Sequence, residues 1–199
     1  MIVADLHFGK TGHFRKSGIA VPQNIFKEDL QRLFAEIQYC KPKQLVIAGD
    51  MFHSDANKEM DLFLRWRKDI SYLPIQLVKG NHDILHDEFY QSANIETENN
   101  KLDIDHFSFV HDISVVNSQW SIQNGEKKNT ENYFFSGHVH PGIVISGNSR
   151  QSLCFSCFYF GAQYAILPAF SAFTGFYAVK PKKNDSVFAI VKDSLMKIG

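Results

Sequence analysis

The stretch Gly80-Asn81-His82-Asp83 sets an amide, an imidazole and a carboxylate in a row behind the apolar run Pro74 to Val78. Other short apolar runs end in the same way. Asp5 and His7 close "MIVADLH", Asp50 closes "QLVIAGD", His111 follows "FSFV", and His138 and His140 stand in "GHVHPG". As atoms, Asp5, His7, Asp50, Asn81, His111, His138 and His140 offer carboxylate oxygens, imidazole nitrogens and an amide oxygen, with no thiolate. Such a set suits manganese, iron or zinc better than magnesium or calcium. Seven donors exceed what one ion takes. They suit two ions about 3.5–4 Å apart that share a carboxylate. Asp50 ends the second, central strand and is the natural bridge.

Two such cations make hydroxide available near neutral pH and offset charge growing in an in-line transition state at phosphorus. The leaving alkoxide then needs a proton. His82 stands beside Asp83, whose carboxylate can orient the imidazole and favour its protonated form, so His82 reads as a general acid backed by Asp83. Residues 9–18, "GKTGHFRKSG", read as a basic loop at the mouth of the site. Lys10 and Arg15 are its candidate grips on a substrate phosphate, with His13 and Lys16 beside them.

Blander readings compete. Asp5 and Asp50 could be helix caps, but an unpartnered buried carboxylate is costly, and this favours the ligand role. His106 competes with His111, which is preferred because it directly follows a strand. His53 either orients a ligand or caps a helix, and both stay open. His13 and His86 read as surface residues.

These side chains need a scaffold that brings strand ends together. Three continuous apolar runs in the first half suit strands buried on both faces. Helical spacing lies between them, over 25–39 (Phe26, Leu30, Leu33, Phe34, Ile37) and 57–70 (Leu62, Phe63, Trp66, Ile70). Asp55 or Asn57 would cap the second. Strand–helix alternation predicts a parallel sheet whose carboxyl ends form a ligand crevice. Arg65, Arg67 and Lys68 read as the solvated face of the second helix.

The second half reads as short strands and hairpins: "FSFVHD", "QWSIQNG", "NYFFSG", "GIVISG", "LCFSCFYFG", "YAILPAF" and "SVFAIVKD". Residues 124–132 and 181–185 read as loops, and the polar stretch 86–103 as holding one short helix. Cys154 and Cys157 lie three apart on a strand, hence on opposite faces, and read as inert. The aromatic run 167–177 reads as core rather than substrate contact.

With 199 residues, 44% of them apolar, the chain reads as a single domain over 1–199. Its 21 basic and 21 acidic residues balance, which excludes a global field that draws it onto nucleic acid or membrane. Any polyanion site must be local. No apolar run is long enough to span a bilayer, and the first residues lack a signal-peptide pattern. Three cysteines argue against a disulfide framework. A cytoplasmic protein without membrane association is expected.

The ordered set "DLH" (5–7), "GD" (49–50), "GNHD" (80–83), His111 and "GHVH" (137–140) resembles the signature of calcineurin-like metallophosphoesterases. The wider segments "VADLHFGK", "HFRKSGIAVP", "GDMFHS", "GHVHPG" and "LPAFSAFTG" resemble the bacterial ligase-associated DNA-damage-response phosphoesterases. The resemblance implies an α/β fold, a four-layer α/β/β/α sandwich of two facing mixed sheets flanked by helices. It implies a manganese-preferring dinuclear phosphodiesterase. One metal would take Asp5, His7, Asp50 and His140, and the other Asp50, Asn81, His111 and His138. It further implies a DNA substrate and association with a DNA ligase, a helicase and a nuclease of a repair operon. Members of that group carry a strand and hairpin ahead of "VADLH", so a missing first strand is expected. A nucleotide or small phosphodiester hydrolase, and a non-catalytic scaffold of the same fold, are the rival readings.

Overall fold

The computed structural model describes residues 1–22, 24–53, 58–114, 132–147 and 151–198. The caps read at Asp55 and Asn57, the strand read over 119–125 and nearly all of the loop read over 124–132 lie outside the described residues.

Strands β1 (Ile2–Val3), β2 (Leu45–Ala48), β3 (Ile75–Val78) and β4 (Ile95–Glu98) form a four-stranded sheet in that order, parallel throughout. Helices α2 (Ile25–Cys40), α3 (Lys58–Asp69) and α4 (Asp87–Ser92) are its connections. Alternation along each strand separates two faces. Leu45, Ile47, Ile75 and Leu77 pack with Leu33, Ile37, Phe63 and Tyr90 of the helices. Val46, Ala48 and Val78 point the other way, into clusters with Phe109, Phe135 and Leu167.

Phe109 and Phe135 belong to the second sheet, and Leu167 directly follows one of its strands. That sheet contains β5 (Leu102–Ile104), β6 (Phe107–Val110), β7 (Tyr133–Ser136), β8 (Pro141–Ser146), β9 (Ser152–Phe160), β10 (Tyr164–Ile166), β11 (Tyr177–Ala178), β12 (Ser186–Val191) and β13 (Ser194–Ile198). The order is β11-β8-β9-β10-β7-β6-β5, with β12 joined to β9 and β13 to β12. This sheet is mixed: β6, β7 and β10 run parallel, whereas β9 is antiparallel to β8, β10 and β12. The facing pair of sheets agrees with the expected sandwich, with the mixed character confined to the larger sheet. Cys157 is buried and Cys154 exposed, as strand alternation requires.

Sequence reasoning missed β4 and β5, whose polar residues mask the two-residue period. It also misread Arg67. That side chain is buried and donates from Nε to Ala93 O (2.9 Å), from Nη1 to Ile70 O (2.6 Å) and from Nη2 to Leu73 O (2.9 Å). It closes the carbonyl ends left behind α3 and α4, a role invisible in a sequence of charges. Residues 9–18 are likewise no simple loop, because Lys10–Lys16 form helix α1.

A candidate dinuclear metal centre

Parallel strands all end on one side, so the residues that follow β1, β2, β3, β6 and β7 share a rim. The backbone continues to pair there: Asp5 N donates to Gly49 O (3.1 Å), His7 N to Asp50 O (2.9 Å) and Gly137 N to His111 O (3.1 Å). Asp5, His7, Asp50, His138 and His140 all take left-handed backbone, with φ of 54°, 46°, 50°, 67° and 49°. Each costs about 1 kcal/mol or more and persists only where surrounding structure enforces it, and such residues gather at functional sites. Two of the preceding glycines are explained by crowding. A Cβ on Gly49 (φ 85°) would lie 1.9 Å from His111 Nδ1, and one on Gly80 2.2 Å from Asp50 Oδ1. The "GD" and "GNHD" motifs therefore need glycine so that the ligands can close in behind it.

The donors fall into two groups. In the first, His140 Nε2 is 3.3 Å from His7 Nε2 and 3.5 Å from Asp5 Oδ1. In the second, His111 Nε2 is 2.9 Å from Asn81 Oδ1, 3.0 Å from His138 Nδ1 and 3.5 Å from Asp50 Oδ2. Asp50 Oδ2 also lies 3.9 Å from His7 Nε2, so it stands between the groups. Atoms bound to one cation at about 2.1 Å are separated by roughly 3–3.5 Å. The donor spacings match this, and the nitrogen and oxygen set fits a divalent transition metal. All seven candidate ligands are thus brought together, and His106, exposed at the β5–β6 turn, is not among them.

Outer contacts set the tautomers. His111 Nδ1 is 3.4 Å from Ala48 O, and donating there leaves Nε2 with its lone pair toward the site. His7 Nδ1 meets His53 Nδ1 at 3.1 Å, which leaves Nε2 for the cluster. Burial holds the His7 pKa down at about 2, helped by Lys10 and the neighbouring histidines, so the imidazole is neutral as a ligand must be. His138 Nε2 has Asp112 Oδ2 at 4.0 Å. Asp112 and His53 are the contributors that the sequence reading missed or left open. An acid directly after His111 and a histidine three residues after Asp50 were the available signals.

His82 and Asp83 depart from expectation. The Asp83 carboxylate is buried and accepts from Phe52 N (2.8 Å), Gly80 N (2.9 Å) and Met51 N (3.3 Å). It clamps the turn after β2 to the turn after β3 and does not back His82. Burial pushes its pKa up to about 7, against those N–H donors. The half-buried His82 is oriented instead by its ring, stacked on His53 at 4.4 Å and 25°, and by its own N–H, which donates to Asp50 Oδ1 (2.9 Å). Burial depresses the His53 pKa to about 4, with His82, Lys10 and His13 adding to the effect, so the stacked partner is neutral.

Of the two proposed phosphate grips, one faces the centre. Burial lowers the Lys10 pKa while Asp50 and Asp5 raise it, which puts its ammonium within reach of both carboxylates' fields. Arg15 is a correction. Its Nη2 donates to Glu59 Oε1 at 2.6 Å, and Thr11 Oγ1 donates to the same oxygen at 2.7 Å. One turn apart on α1, they pin that helix to α3. Arg15 is a strut, and Lys10, one position before Thr11, lies about 100° round the helix from it.

A family model for calcineurin-like phosphoesterases matches residues 1–140. The crystal structure of Pseudomonas putida nuclease MPE is similar, with 26% identity and a TM-score of 0.73 over 94% of this chain and 82% of that one. Yfce, a phosphoesterase from E. coli, aligns over 100% of this chain and 97% of its own at 13% identity and a TM-score of 0.47. No protein of curated function matches the chain in sequence. Among the described residues, no helix is long and apolar enough to cross a membrane. With the matched span covering every candidate ligand from Asp5 to His140, the chain belongs to the calcineurin-like phosphoesterase family and is a metal-dependent phosphoesterase.

Proposed function

We propose that the protein is a dinuclear phosphodiesterase that cleaves DNA. The observation that carries this reading is Asp50 Oδ2, set 3.9 Å from His7 Nε2 and 3.5 Å from His111 Nε2, where one oxygen can serve both groups. Asp5, His7, Asp50 and His140 would hold one divalent cation, and Asp50, Asn81, His111 and His138 the other. The pair supplies an activated hydroxide and charge neutralisation at phosphorus. Manganese is the favoured metal, and iron or zinc also suits the donors.

The protein's own groups do the rest. Lys10 holds a non-bridging phosphate oxygen by charge. His82 donates a proton to the departing oxygen, held in place by the His53 ring. The likeness to a nuclease supports DNA as substrate. Action beside a DNA ligase, a helicase and a nuclease in the cytoplasm follows from the sequence resemblance and belongs to the same proposal.

The test is elemental analysis of protein purified without chelating resin, paired with hydrolysis of bis-p-nitrophenyl phosphate and of a labelled oligonucleotide. Two manganese-class ions per chain and cleavage of both substrates are expected. Full activity in excess chelator, or hydrolysis confined to phosphomonoesters, would overturn the reading.

A further inference from the structure

Of the four candidate ligand histidines, His138 has the most exposed side chain, 42% against 19% for His140 and 10% or less for His111 and His7. Its backbone is tied to the first donor group, because its N–H donates to Asp5 Oδ1 (3.1 Å) and Oδ2 (3.0 Å). Its ring serves the second. Nδ1 lies 3.0 Å from His111 Nε2, and His138 groups with His111 and Asp50, which leaves Nε2 as the outer nitrogen. Asp112 Oδ2 stands 4.0 Å from that Nε2.

The Asp112 carboxylate is oriented by its own turn, directly after His111 and just beyond β6. Oδ1 accepts from Ser114 N (2.8 Å) and Oδ2 from Ser114 Oγ (2.7 Å). The side chain is 28% exposed, so water screens its charge only in part. At 4.0 Å the link to His138 is an ion-pair contact rather than a hydrogen bond, and it acts by charge.

Three of the ligand imidazoles have different groups behind them. Ala48 O faces His111 Nδ1 (3.4 Å), His53 Nδ1 faces His7 Nδ1 (3.1 Å), and Asp112 faces His138. Of these three partners Asp112 alone is an anion. A carboxylate behind an imidazole favours the proton on the outer nitrogen, which leaves the lone pair on the inner one. It also raises the basicity of the ligand. The anion therefore stands behind the ring that burial constrains least.

We infer that Asp112 is a positioning residue of the centre: anchored by Ser114, it holds the His138 ring in its ligating tautomer and sets how strongly the more exposed donor group binds a cation. The inference rests on the two-cation reading above. Its test is calorimetric titration of metal-free protein with manganese. Asp112→Asn keeps the size of the side chain and an acceptor for Ser114 but removes the charge. It weakens one of the two binding events about tenfold or more and leaves the other unchanged. Asp112→Glu, which keeps the charge, recovers part of that loss. In a His138→Ala background the Asp112→Asn change has no further effect on the weakened event, because the ring through which it acts is gone. General destabilisation by the substitution would persist in that background. Unchanged manganese binding in Asp112→Asn, or a loss of the same size with and without His138, overturns the inference. A wild type that binds fewer than two ions strikes the two-cation reading instead, whereas two ions bound by the wild type and an unaffected Asp112→Asn variant strike the role of Asp112 alone.

Discussion

The two halves of the centre use similar ligands in different surroundings. Asp5 and His7 are buried and the His140 side chain is 19% exposed, whereas the His138 side chain is 42% exposed and Asn81 lies open. The first half is held by packing: His53 fixes one nitrogen of His7, and a backbone N–H of His138 binds Asp5 at 3.0 Å. In the second half, the more exposed Asn81 and His138 gather on His111, 2.9 Å and 3.0 Å from its Nε2. Burial therefore distinguishes the two donor groups, and a cation in the buried one is expected to be held more tightly, although a sequence of Asp, Asn and His makes the groups look equivalent.

The largest disturbance should come from the oxygen common to both halves. Asp50→Asn is expected to lose more than about 10³-fold in diester hydrolysis and to bind fewer ions, read by assay and elemental analysis. Retention of two ions would show that the halves are independent. Next comes His82→Ala, expected to cost at least about 10²-fold on DNA. The loss should be much smaller on bis-p-nitrophenyl phosphate, whose leaving group needs no proton. Equal losses on both would remove the acid role. His138→Ala should weaken one cation by roughly 10–100-fold and leave the other in place, whereas His140→Ala should disturb the tight one; calorimetric titration with manganese distinguishes them. Two identical affinities in the wild type would dissolve the contrast. The smallest catalytic effect belongs to Arg15→Ala, expected to leave kcat unchanged and to cost about 1–3 kcal/mol in thermal unfolding as the tie to Glu59 is lost.

The convergence of the candidate ligands was legible in the sequence because each donor follows an apolar run or stands in a glycine-containing motif. Strand ends are where a buried chain first meets solvent, so polar residues there stand out. The parallel sheet was legible for a related reason, since β2 and β3 are short apolar runs flanked by helical spacing. Direction was not legible. Asp83 sits next to His82 in the chain yet turns to the N–H groups of Met51 and Phe52, residues distant in sequence. Arg15 reads as a phosphate grip until Glu59 is brought beside it. Arg67 reads as solvated until four carbonyl bonds surround it. In each case the deciding partner is a long-range contact made by folding, and local pattern carries no trace of it.

The left-handed backbone at five of the ligands narrows what mutation can explore there. Only glycine, asparagine, aspartate and histidine enter that region at modest cost. A drift toward glutamate or cysteine would have to overcome lost geometry and main-chain resistance together. Change of metal preference in this protein should therefore arise from the neighbours that press on the ligands, such as His53 and Asp112, before it arises from the ligands themselves.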